Sequence, residues 1–156
     1  MGKINWARVL LGGLVAGAII LVIDFCVNGL ILGSQWQAVL KALGQIQSPS
    51  SLIIFIAWAF LAGISAIWLY AAARPRFGRG ARTAVITGFA FWIFGFALPT
   101  LGLLSFGLFP LHLLLLSALA GAAESILGSL AGGRIYREQG ESESAWVSSW
   151  SCQNLP

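Results

Sequence analysis

The chain has 156 residues, of which 58% are apolar and 9% charged, and its formal net charge is +4. A soluble domain needs about 25% charged residues to cover its surface, a disordered chain needs far less apolar content, and a disulfide scaffold needs more than two Cys. With a mean hydropathy of +0.88, the composition leaves an integral membrane protein built as one unit, and apolar runs too long and too unbroken for alternating strands make it all-α.

The first span is predicted at about 6–32, where Val9 to Ile23 is apolar or Gly without a break until Asp24 intervenes. Its apolar core exceeds the h-region of a signal peptide, and no small-residue cleavage site follows. Next, Trp36, Val39, Leu40 and Leu43 recur at helical spacing, with Gln35, Gln37, Lys41 and Gln45 polar between them. That pattern predicts a short amphipathic helix lying on the outer interface. No charge occurs between Lys41 and Arg74, which places the second span at about 50–73.

The interval from Thr83 to Ala123 is also uncharged. It is too long for one crossing, since about 20 residues traverse the hydrocarbon at roughly 1.5 Å each. It must turn back once, and Pro99, Thr100, Gly102, Ser105, Gly107 and Pro110 mark the turn region. Spans three and four then fall at about 82–104 and 109–133. Pro49 and Pro110 sit where helices begin, and Pro99 is expected to kink or end span three. The membrane domain covers 1–138. Residues 139–156 form a polar, Ser-rich tail in which Trp146 and Trp150 are candidate docking anchors. The alternative is a disordered tail.

Eight of the nine basic residues (Lys3, Arg8, Arg74, Arg76, Arg79, Arg82, Arg134 and Arg137) fall on one side of a four-span topology, against Lys41 alone on the other. The positive-inside rule then puts both termini in the cytoplasm, with Trp6, Trp68, Tyr70 and Tyr136 near the inner interface and Trp36 near the outer one. Topology explains the basic excess, so nucleic acid is not an expected partner. The loop holding Arg74, Arg76, Arg79 and Arg82 is a candidate contact for anionic lipid headgroups.

Asp24 and Glu124 are the only acids within the spans. An acid at mid-membrane costs about 2.5–3.5 kcal/mol on insertion scales, so it faces protein or water and has a use. At a helical 100° per residue, Asp24 shares a face with Gly13, Gly17 and Asn28, and Glu124 with Ser117, Gly121 and Gly128. Such small faces are where spanning helices approach closely. Counting inward from each span's end puts the two acids about 10–12 Å apart in depth, too far for a direct pair. Asp24 is therefore expected to cluster with Asn28 and His112, and Glu124 to meet Thr87, Ser65 or Ser125.

Two roles stand open for the acids: fixing helix packing, and carrying protons or cations. For His112 the alternatives are an ordinary interfacial His and a ligand to a metal or to a pigment's magnesium. One His without Cys or a second His is a poor ligand set, so no metal is expected. There is no His-Glu-x-x-His, nucleophile elbow, Walker loop or Gly-rich dinucleotide turn, and the chain reads as a non-enzyme.

The stretches Asn5-Trp6-x-Arg8-Val9-Leu10-x-Gly12-Gly13, Asp24-Phe25 with Asn28-Gly29, Trp36 with Leu43-Gly44, Trp68-Leu69-Tyr70-Ala71, Arg74-Pro75-Arg76-Phe77-Gly78 and Glu124 resemble a group of small uncharacterised bacterial four-helix membrane proteins. The resemblance spans roughly 4–138. It implies a bacterial inner-membrane location and brings no activity with it. The first functional expectation is a non-catalytic accessory or structural subunit of a larger membrane assembly, with lipids and other membrane subunits as partners. Bound lipid is the expected small-molecule company. In an energy-converting or photosynthetic assembly, pigment or quinone would contact His112 and the aromatic faces. The second expectation is a small oligomeric proton-coupled transporter or channel using Asp24 and Glu124.

Overall fold

The computed structural model describes residues 4–45 and 48–136. Trp146 and Trp150 lie outside them. The elements run α1 (Trp6–Asp24), a π-helical segment (Phe25–Ile31), α2 (Gly33–Ala42), α3 (Pro49–Phe77), α4 (Ala81–Trp92), a second π-helical segment (Ile93–Ala97), α5 (Leu98–Ser105) and α6 (Leu111–Ile135). No strand occurs among the described residues. Four stretches, Trp6–Ile31, Ser50–Phe77, Ala81–Ser105 and Leu111–Ile135, are long and apolar enough to cross a membrane.

Helix ends follow local chemistry. Asn5 caps α1, its side chain accepting the Arg8 N–H at 3.2 Å. Ser48 caps α3 with Pro49 in the first turn, and Pro110 precedes α6. The second span runs four residues past the expected 73. Pro75 removes one hydrogen bond near the end, but the helix stops only at Gly78, whose φ of 81° suits glycine.

Pro99 does not end span three. Instead the preceding turn widens: Leu98 donates to Ile93 O, five residues back, and the helix continues to Ser105. A wider turn gives the proline ring room beside the carbonyls it cannot bond. The reversal occurs later, over Phe106–Pro110, with Gly107 at φ 62°.

α1 packs most closely on α3 and α6, α4 packs on α6, and α3 also meets α4 and α6, which closes the bundle. Glycine sets the spacing. A Cβ on Gly13 would lie 2.6 Å from Ile64 Cα, and one on Gly63 would collide with Gly13 O and Gly17 N. On the other flank, a Cβ on Gly12 would lie 2.7 Å from Gly132 O, and one on Gly128 would lie 3.3 Å from Ala16 O. These backbones meet because nothing stands between them.

Tyr70 and Tyr136, near the ends of α3 and α6, point into the bundle. They are buried, 3% and 4% exposed, in a cluster with Val9, Ala16, Ile67 and Ala84. Their rings meet edge to face at 6.1 Å, in space left by Gly133 and Ala84.

Candidate functional site

α1 and α6 run antiparallel in a fixed register. Gly12 faces Gly132 and Ala16 faces Gly128; the same register carried four residues on sets Glu124 level with Ile20. The hydrogen bond from Ser117 to Asn28 continues the register to the far end. Asp24 thus stands one helical turn beyond Glu124, about 6 Å along the axis. The 10–12 Å expected from span ends is corrected: the glycine contacts slide α6 along α1 until the two acids share one seam. They lie within electrostatic reach of each other.

Asp24 ends α1 where the helix widens. Asn28, on the π-helical turn, donates from Nδ2 to Asp24 Oδ1 at 2.7 Å. The Asn28 amide oxygen accepts from Trp36 Nε1 at 3.1 Å and from Ser117 Oγ. Donors therefore run in one direction, from α2 and α6 through Asn28 to the carboxylate. This chain fixes the amide's orientation, because both lone pairs of its oxygen are used. Trp36 is held further by Phe109, ring centres 5.9 Å apart.

The cluster lines a cavity of about 620 Å³, walled also by Phe55, Phe96 and Thr100. Both π-helical segments border it, the first through Phe25, Asn28 and Gly29 and the second through Phe96. π-turns are rare and recur at functional sites.

Glu124 lies deeper. It is fully buried, and neither carboxyl oxygen has a hydrogen-bond partner among the described residues; the same holds for the hydroxyls of Ser125 and Ser129. None of the expected partners bonds to it. Thr87 donates to Thr83 O and Ala84 O in its own helix, Ser65 donates to Leu61 O at an exposed position, and Ser125 is itself without a partner. Four buried polar oxygens without partners on one helix stretch are uncommon in a folded protein.

His112 does not join Asp24. It is exposed, and its Nε2 meets Gln35 Oε1 of α2 at 2.9 Å. Of the basic loop, Arg76, Arg79 and Arg82 are exposed, whereas Arg74 is 6% exposed with its guanidinium 5.4 Å from the Tyr136 ring centre. Arg74 is thus packed against Tyr136, unlike the other three. Among the described residues no group of three His, Cys, Asp or Glu converges.

Sequence reasoning missed Trp36 as a hydrogen-bond donor, Ser129 as a second buried hydroxyl, and both π-turns. The i, i+4 spacing of Ser125 and Ser129 beside Glu124 was the legible signal. The fold and site define an all-helical protein with four candidate membrane spans and a polar seam between the first and last. The chain matches no protein-family model, no curated protein and no solved structure at a significant level.

Proposed function

We propose that the chain is a small proton-coupled membrane transporter or channel in which Asp24 and Glu124 handle the proton or a competing cation. One observation carries this reading: a fully buried carboxyl without a partner stands one turn from a second acid that lines a cavity. An acid kept only for packing has its lone pairs satisfied; one kept for exchange leaves them available. Asp24, held by Asn28, receives the proton from the cavity. Glu124 holds it one turn further in.

The same reading places the protein in a bacterial cytoplasmic membrane among small four-span proteins, both termini inside, without catalysis. α2 then lies on the outer interface over the cavity mouth. The support is the basic asymmetry and the motif resemblance. A second reading, a subunit of a larger assembly, is favoured by the third span. Only 17% of its apolar window is buried. Phe94, Leu98 and Leu101 share one bare face, at 71%, 51% and 64% exposure.

The test is proton flux into vesicles containing the purified chain and a pH-sensitive dye. The wild type is expected to dissipate an imposed gradient faster than empty vesicles, and Asp24→Asn and Glu124→Gln to fall to the empty-vesicle rate. A silent wild type, or two variants as active as the wild type, refutes coupling. A protein that always leaves mild detergent with the same partner supports the subunit reading.

A further inference from the structure

The opposite end of the bundle holds a second cavity, about 20 Å along α1 from Asp24. It is a cleft of about 470 Å³ between the ends of α3 and α6 and the start of α4. Arg74, Arg79 and Arg134 line it, and none of its described lining residues is an acid. The cleft is built, not incidental. Arg79 sits on a turn pinned from both sides: Thr83 Oγ1 donates to Gly78 O at 2.7 Å, and the Gly80 N–H donates to Tyr70 Oη at 3.4 Å. Arg74, nine-tenths buried, is fixed over the Tyr136 ring. A second wall, Ala81, Ala84 and Leu130, is apolar.

We infer that this cleft binds a phosphate-bearing anion, held as the headgroup of an anionic phospholipid. Guanidinium forks match the paired oxygens of a phosphodiester. The cleft lies at the ends of the spans, where headgroups stand, and basic pockets between spanning helices take such headgroups. The apolar wall suits the glycerol and first acyl carbons, and exposed Phe77 continues the apolar surface beyond it. Arg74 and Arg79 are not bare cations, and Glu138, Glu141 and Glu143 follow soon after Tyr136. The test must separate a lipid from the chain's own carboxylates.

The experiment is native mass spectrometry of the full chain in a neutral detergent with phosphatidylglycerol or phosphatidylcholine added. Preferential retention of phosphatidylglycerol is expected. Arg79→Gln with Arg134→Gln removes two exposed cations from the cleft without touching the Arg74–Tyr136 packing. It should weaken retention about thirtyfold, at about fivefold per guanidinium. Arg76→Gln with Arg82→Gln removes the same charge outside the cleft and should leave retention near wild type. Equal losses from both pairs, or no headgroup preference in the wild type, overturn the proposal. Lipid bound only by a Glu138→Gln, Glu141→Gln, Glu143→Gln variant assigns the cleft to the chain's own acids and overturns it too. So does complete displacement of the lipid by glycerol phosphate, which would make the ligand a soluble phosphate.

Discussion

Replacing Glu124 with Met is expected to stabilise the protein while ending proton movement. The side chain is 0% exposed and neither carboxyl oxygen has a partner among the described residues. A buried polar group without a partner costs about 1–3 kcal/mol. Methionine has nearly the same length and no strong acceptor, and a volume-conserving exchange costs under about 1.5 kcal/mol. The net expectation is a gain of about 1–2 kcal/mol, at about 2–4 °C per kcal/mol in a chain of this size. Glu124→Gln keeps the polar atoms and should move the midpoint little. Thermal unfolding in detergent, followed by far-ultraviolet circular dichroism, measures both, and the same preparations go into vesicles for flux. A Met variant destabilised by more than about 1 kcal/mol would show a carboxyl that holds the fold together. A stabilised variant with wild-type flux would show an idle acid. Either result defeats the reasoning.

Two further outcomes rest on the geometry alone. Gly63→Ala places a methyl against Gly13 O and Gly17 N, backbone atoms that cannot turn aside, and should cost at least about 3 kcal/mol in detergent-denaturant titration; Gly102→Ala meets nothing within 4 Å and should gain about 0.5–1 kcal/mol. Equal midpoints for the two would refute the close α1–α3 contact. Asn28→Ala strips Trp36 Nε1, Ser117 Oγ and Asp24 Oδ1 of a partner and should cost about 1–3 kcal/mol, with faster hydrogen exchange confined to α2 and the adjoining π-turn. Unchanged exchange there would mean α2 is held by something else.

The spans were legible because charge gaps in a membrane protein are read directly as helices. Their ends were less so: a rule that stops span two at Arg74 misses a helix that runs until Gly78 reaches a positive φ. The relative depth of the acids was not legible. It depends on which glycine of α6 meets which glycine of α1, and counting from a span's own end contains nothing about its neighbour. The burial of Tyr70 and Tyr136 was not legible for a related reason: the aromatic-belt rule concerns depth, whereas Gly133 and Ala84 on neighbouring helices leave the hollow that the rings fill. The π-turns have no compositional signature; Pro99 hinted at one as a kink, and nothing in Phe25–Ile31 announced the other.

The distribution of tight and loose packing bears on the proposed proton path. Along the half of α1 nearest the Arg residues, Gly12, Gly13 and Gly17 bring three helices to backbone contact, and Ala16, Ile20 and Ile67 are fully buried. Beyond Ile20 no further glycine of α1 meets another helix, both π-turns widen their helices, and the cavity begins. Glu124 stands at that boundary. On the proposed reading a proton from the cavity would reach Glu124 by way of Asp24, with the tight glycine seam of α1 on the other side. Ile64, Phe60 and Ile67 seat their side chains in the hollows left by Gly13, Gly17 and Gly132, so the seam is interlocked as well as close. On the proposed proton-coupled reading, a path from Glu124 toward the Arg residues would leave the α1 seam and follow the buried hydroxyls of Ser125, Ser129, Thr87 and Thr83 along α6 and α4.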